Sequence, residues 1–187
     1  MMRKKPMLAY PVSAKPIDYS KPTFIQPKLD GVRCVIQYET IDTEKEVPSN
    51  FCVVKAYSRT GKEWKNIDHI LDELVPFFCK YPDVILDGEL YNHDLRDDFE
   101  KIISLVRKTK PTDEDRLEAS KLTQFHCYDI IDETKMFEER NNFIKQTVPR
   151  NHCIHHVDTQ FIFSDKAAQK HHKQNLKIGY EGSIVRT

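Results

Sequence analysis

Apolar residues along this chain recur at two spacings, and the switches between them divide it into elements. Residues 1–22 carry Pro6, Pro11, Pro16 and Pro22 with little periodicity and read as an extended arm packed over a domain. Residues 24–38 read as a strand pair broken near Asp30-Gly31, followed by a polar loop over 40–50 and a strand at about 51–58. That strand ends in the turn Arg59-Thr60-Gly61-Lys62. Ile67, Ile70, Leu71, Leu74 and Phe78 then fall at helical spacing behind Asn66, a candidate N-cap, and Pro82-Asp83 close the unit. Val84 to Tyr91 is a strand with a polar insertion, Asp87-Gly88-Glu89. Phe99, Ile102, Ile103 and Val106 mark a second amphipathic helix, and 109–120 a polar surface helix. A strand at Leu122–Ile131, a helix at Phe137–Val148 and short strands at Ile154–Val157 and Phe161–Phe163 follow. Ser164 is placed to cap a last helix running to about Leu176, with Gly179 beyond its end and a final strand to Thr187. The order interleaves strands and helices, yet the strands read as antiparallel hairpins more than as βαβ units.

Composition adds bounds. With 187 residues, 39% apolar and 31% charged, the chain suits one domain with a substantial core. No apolar run approaches the ~18 residues of a membrane span, and no apolar signal core follows the basic start, so a cytoplasmic protein is expected, in a host cytoplasm if viral. The five cysteines are widely spaced, odd in number and without a Cys-x-x-Cys pair, which argues against a disulfide framework or a zinc site. Net charge is +0, so a nucleic-acid partner would have to be met by local clusters. Those available are Arg3-Lys4-Lys5, Arg59 with Lys62 and Lys65, and Arg107 to Lys110; each taken singly is more often a solvated face. His155-His156 and His171-His172 suggest a metal site, but adjacent histidines on a strand point to opposite faces, which favours structural or surface roles. Trp64 reads as a hydrophobic anchor.

The sharpest local pattern is Lys28-Leu29-Asp30-Gly31-Val32-Arg33 between apolar runs. A Pro-Lys-x-Asp-Gly segment holds a lysine at a bend beside a glycine that lets a ligand approach the backbone. Such a lysine is a nucleophile once deprotonated, against an ordinary pKa of about 10.4. A surface hairpin with ordinary charges explains the hexapeptide equally well.

The form Lys-x-Asp-Gly-x-Arg resembles the first motif of the covalent nucleotidyltransferases, and four more segments follow in that family's order. They are Ser58-Arg59-Thr60-Gly61, Asp87-Gly88-Glu89-Leu90, Phe125-His126-Cys127-Tyr128-Asp129 and Glu181-Gly182-Ser183-Ile184-Val185-Arg186. Five in order are specific where one is not. Met7-Leu8-Ala9-Tyr10 and Gln26-Pro27-Lys28 resemble the ATP-dependent DNA ligases of the bacteriophage type in particular.

The resemblance implies an α+β, ATP-grasp-like nucleotidyltransferase fold, two antiparallel sheets flanked by helices with ATP between them. It implies that Lys28 attacks the α-phosphate, with Asp30 beside it. Glu181 and Asp30 would hold Mg²⁺ or Mn²⁺, since Mg²⁺ keeps several waters and needs few carboxylates. Asp30 could equally brace its loop. Arg33 and Glu89 would fix the ribose hydroxyls, with Asp87-Gly88 forming a turn that presents Glu89. Tyr128 would stack on adenine, with Phe125 as the fallback, and the backbone of Gln26 would read the adenine edge. Arg59, assisted by Lys62, would bind phosphate of the nicked strand.

The implied partner is nicked double-stranded DNA, acted on by a monomer. An RNA ligase or an mRNA capping guanylyltransferase would share the first step, and a non-catalytic nucleotide- or DNA-binding fragment is the reading of another class. The family carries a further lysine motif and DNA ligases an OB domain after the Glu-Gly segment. Residues 1–187 are therefore expected to be an adenylation domain that is C-terminally incomplete, with the OB domain absent.

Overall fold

The structure, a computed structural model, describes residues 9, 11–40 and 53–187. The arm expected over 1–22 is thus seen only from residue 11 on, apart from Ala9, and most of the 40–50 loop lies outside the described residues.

Among the described residues, eight strands and five helices follow one another. They are β1 (Thr23–Lys28), β2 (Val32–Glu39), β3 (Val53–Tyr57), α1 (Asp68–Lys80), β4 (Ile85–Tyr91), α2 (Phe99–Val106), α3 (Asp113–Leu122), β5 (Gln124–Ile130), α4 (Phe137–Thr147), β6 (Ile154–His156), β7 (Gln160–Ile162), α5 (Asp165–Lys177) and β8 (Gly182–Arg186). The strands form a three-stranded sheet, β7-β1-β8, and a five-stranded sheet, β3-β2-β4-β5-β6. Every pairing is antiparallel except β5–β6, where Phe125 faces Ile154 in a parallel register. β5-α4-β6 is therefore a βαβ crossover, where hairpins were expected; a parallel pair needs such a connection.

The main core lies between the larger sheet and α1, α2 and α4. Ile36, Leu74, Phe78, Leu86, Leu90, Ile102, Phe125 and Ile154 are all essentially inaccessible there. The smaller sheet has a core of its own, Ile25, Ile162 and Ala168 with Val185, against α5. Trp64 is 5% exposed and its indole N–H donates to the Arg33 carbonyl at 3.3 Å, an anchor as expected.

Helix ends show where local signals hold. Ser164 Oγ accepts from the Ala167 N–H and starts α5, and Thr112 with Asp115 forms a capping box on the polar helix α3. Asn66 does not cap α1, whose N-cap position is Ile67. It is 1% exposed, and its side-chain N–H groups donate to the carbonyls of Leu105 (3.0 Å) and Asp115 (3.3 Å), fastening the loop before α1 to α2 and α3. Asp87-Gly88 is not a turn either. It lies inside β4 at a register shift. A Cβ on Gly88 would sit 2.5 Å from the His126 carbonyl oxygen and 2.5 Å from the Phe125 ring, so a glycine is what allows β5 to come this close.

Candidate active site

The two sheets face each other across a cleft of about 950 Å³. Side chains alternate along β1, so Ile25 joins the small core under α5 while Gln26 and Lys28 line the cleft. β8 runs beside β1 with Gly182 opposite Lys28, which sets Glu181 next to the lysine. Lys28 Nζ and Glu181 form an ion pair, and the Glu181 N–H donates to the Lys28 carbonyl at 3.2 Å. Both side chains are a little under half exposed, open to a ligand in the cleft.

The opposite wall comes from the larger sheet. Arg33 on β2 faces Glu89 on β4 in register. Arg33 does not reach out freely. Its guanidinium grips Asp87 through two bonds, one of them Nε to Oδ1 at 2.9 Å, and Asp87 is 1% exposed. Bidentate pairing of this kind fixes the plane of the guanidinium. The Tyr128 hydroxyl donates to the same Asp87 oxygen at 3.3 Å, so one buried carboxylate orients two cleft residues from two strands. This role of Asp87 was not visible in the sequence, because its partner lies 54 positions away. Burial pushes the Glu89 carboxyl up to about 8, with Arg33 and Lys28 pulling it down and Asp87 and Asp30 pushing it further up.

Tyr128 and its fallback separate cleanly. Phe125 is fully buried in the core, whereas Tyr128 lines the cleft. The guanidinium carbons of Arg186 and Arg33 lie 5.2 and 5.8 Å from the centre of the Tyr128 ring. Arg186 also donates through Nε to Gln26 Oε1 at 3.2 Å and pairs with the buried Asp129 at 3.4 Å. It is a cleft residue that the motif reading passed over, although it closes the last of the five segments. Gln26 itself is 2% exposed, and its amide donates to the Tyr128 carbonyl (3.1 Å) and to Thr159 Oγ1 (2.9 Å). Its side chain thus ties β1 to β5 across the two sheets.

Gly31 serves a different purpose from the one expected. A Cβ there would lie 2.5 Å from the Leu90 carbonyl oxygen and 2.7 Å from Glu89 Cγ, so β4, not a ligand, occupies the space beside it. Asp30 does not brace its loop. It is exposed on the cleft rim, with no hydrogen bond or ion pair among the described residues.

Arg59 stands at the tip of a tight turn at the cleft mouth. Ser58 holds that turn, with its N–H donating to the Lys62 carbonyl (2.7 Å) and its Oγ accepting the Lys62 N–H (2.9 Å). Gly61 adopts φ of 102° there, a conformation other residues resist. Lys62 and Arg107, the residue just past the end of α2, line the same cleft. The mouth is therefore cationic although the chain as a whole is neutral.

His155 and His156 split as strand geometry requires, whereas His171 and His172 lie on helix α5. The His155 ring stacks on His126 at 4.8 Å, while His156 reaches the Val148 carbonyl at 3.0 Å. Among the described residues, no three His, Cys, Asp or Glu side chains converge as a ready-made metal cage. Asp30 and Glu181 on the cleft rim instead offer the sparse carboxylate set that suits Mg²⁺ carried with a phosphate ligand and its own waters.

Residues 6–187 match the family described as ATP dependent DNA ligase domain. The chain belongs to that family. Solved structures share the fold of this ligase-family domain. A Lig E DNA ligase is 19% identical with a TM-score of 0.67, over 98% of this chain and 62% of that one. The ATP-dependent DNA ligase of bacteriophage T7, in complex with ATP, is 16% identical with a TM-score of 0.60, over 88% and 56%. The Chlorella virus DNA ligase-adenylate is 18% identical with a TM-score of 0.59, over 89% and 53%. This ligase-family domain therefore spans less than two thirds of each of these chains. None of the curated proteins compared matches it. Among the described residues, no helix is long and apolar enough to cross a membrane.

Proposed function

We propose that this chain is the adenylation domain of an ATP-dependent DNA ligase, a monomer acting in a cytoplasm on nicked double-stranded DNA. The observation that carries the reading is the placement of Lys28 and Glu181 on one sheet, across a cleft from Arg33, Glu89 and Tyr128 on the other.

In the reaction inferred, ATP lies in the cleft with adenine against Tyr128 and its ribose hydroxyls between Arg33, which donates, and Glu89. Lys28 Nζ attacks the α-phosphorus. One proton leaves the ammonium toward Glu181 or solvent to free the amine; a P–N bond then forms, the bond to the bridging oxygen breaks, pyrophosphate leaves, and the nitrogen loses a second proton to solvent or to the departing pyrophosphate. Mg²⁺ or Mn²⁺ held by Glu181 and Asp30 would supply neutralising charge on the triphosphate. The 5′-phosphate of a nick, received by Arg59 and Lys62, then takes AMP from Lys28. The adjoining 3′-hydroxyl displaces AMP and closes the phosphodiester.

The deciding experiment is incubation with ATP labelled at the α-phosphate and Mg²⁺, followed by denaturing electrophoresis. Wild type is expected to carry covalent label, and folded Lys28→Arg none, because arginine does not surrender its proton. Label in the arginine variant would remove Lys28 as the nucleophile. Label from GTP instead of ATP would indicate a guanylyltransferase, and nucleotide binding without label from either a non-catalytic module. Sealing of nicked RNA but not nicked DNA would indicate an RNA ligase.

A further inference from the structure

Away from the cleft, the densest cluster without a role lies where β4 ends and the turn before β8 begins. His93 opens the short 3-10 turn after β4 (His93–Leu95). Its Nε2 is 3.0 Å from the Ile178 carbonyl oxygen, and its Nδ1 is 2.7 Å from the Tyr91 hydroxyl. A carbonyl can only accept, so Nε2 donates its hydrogen to Ile178, and Nδ1 has the Tyr91 hydroxyl as its partner. The ring also lies on Tyr180, with centroids 4.6 Å apart. Arg96 adds a second hold. It donates to the His93 carbonyl at 3.2 Å and covers Gly179, where a Cβ would come within 2.7 Å of Arg96 Cδ. Gly179 has φ of 96°, so the turn has the sharp form that a glycine permits.

We propose that His93 is a positioning residue, pinning the turn 178–181 to the larger sheet and so fixing where Glu181 and Lys28 stand relative to Arg33 and Glu89. The smaller sheet has little core of its own, so its placement has to come from cross-links. Gln26 and Arg186 supply them at one end, through Tyr128 and Asp129. β1 pairs Phe24 with Arg186 and Lys28 with Gly182, so the lysine lies at the opposite end of the sheet. There the turn 178–181 hangs from Lys28 on one side, through the Glu181 N–H, and from His93 on the other. Tyr180 sits against the histidine and Glu181 against the lysine. Loss of His93 removes the hydrogen bond between this corner and the β4 side, leaving the packing of Arg96 on Gly179 and of Tyr91 on Tyr180.

The kinetic consequence rests on the adenylylation reading, and the positional one does not, so both are measured. The variants are His93→Ala and His93→Gln, the latter keeping an N–H able to reach Ile178. Hydrogen exchange of the segment 177–186 is expected to quicken about tenfold in the alanine variant, the worth of one lost hydrogen bond, with β4 and β5 unchanged and the glutamine variant near wild type. Single-turnover AMP incorporation is expected to fall about tenfold in His93→Ala at an unchanged half-saturating ATP concentration, because Arg33, Glu89 and Tyr128 stay in place. Unchanged exchange across 177–186 in His93→Ala overturns the proposal. Faster exchange throughout the chain in both variants also overturns it, since His93 would then hold the whole fold. If wild type takes up no label, the adenylylation reading fails alone and exchange decides the role of His93.

Discussion

Asp87→Ala tests the strongest claim about how the cleft is held in shape. The carboxylate is 1% exposed, takes two bonds from Arg33 and accepts the Tyr128 hydroxyl. Removing one partner of a buried ion pair costs about 3–5 kcal/mol, because the other charge is left without compensation. Arg33 is 19% exposed and borders the cleft, so water can reach it, which places the cost near the lower end, about 3 kcal/mol. For a domain of this size each kcal/mol moves the melting temperature by about 2–4 °C, giving a fall of roughly 6–12 °C by calorimetry. Asp87→Asn keeps the shape and one acceptor oxygen and should lose about half as much. Both variants should also need more ATP for half-maximal labelling, since Arg33 and Tyr128 lose the group that orients them. A melting temperature within about 2 °C of wild type for Asp87→Ala would refute the reasoning, because Arg33 would then be held by something other than this pair.

Glu89 gives a pH signature. Between the ordinary glutamate value of 4.5 and about 8 the folded chain keeps a proton that the unfolded chain releases, so Glu89 subtracts stability as pH rises through that window. Because Glu89 is partly open to the cleft, Glu89→Gln should gain about 1–2 kcal/mol on wild type between pH 5 and pH 8 in urea titrations, and a pH-independent difference would contradict the shift. Arg59→Ala should slow AMP transfer from labelled protein to a nicked duplex more than it slows self-labelling, and should lower the salt slope of duplex binding by about 0.9; equal losses in both steps would place Arg59 in the nucleotide pocket. Gly88→Ala should cost about 3 kcal/mol or more, since its methyl meets the His126 backbone at 2.5 Å, and an unchanged melting temperature would mean that β4 and β5 need no such close approach.

Helices and strands with clear periodicity were legible in the sequence because each buries one face. α1 and α2 fall where the apolar spacing puts them, and α5 lies where Ser164 and Gly179 bound it. Asn66 misled because an amide before an apolar run looks like a cap, whereas its bonds go to carbonyls on α2 and α3 that no local pattern reveals. Asp87-Gly88 has the composition of a turn, but strands on both sides keep the backbone extended through it. The parallel β5–β6 pair was hidden for a related reason, since strand direction depends on how α4 crosses over and not on the strands themselves. In the cleft, the motifs named the residues that face one another, Lys28, Glu181, Arg33, Glu89 and Tyr128. They did not reveal what holds those residues. Asp87, Gln26, Arg186 and His93 act through partners far away in the chain, and such pairings leave no periodic trace.

The smaller sheet also has a consequence for the order of events at birth. β1 lies between β7 and β8, so Ile25 waits for Gln160 and Phe24 for Arg186. β2, β3, β4 and β5 meet much nearer neighbours and can pair while the ribosome is still working. At typical synthesis rates of 5–20 residues per second, β1 spends roughly seven to twenty-six seconds without either strand partner. Closing so long a loop is slow compared with forming local pairs. β1 is therefore stitched in last, and an unfinished chain has the wall of Arg33, Glu89 and Tyr128 but not the pair Lys28–Glu181. On the proposed adenylylation reading, a nascent copy takes up no AMP before β8 has been made, because until then topology keeps Lys28 apart from Glu181.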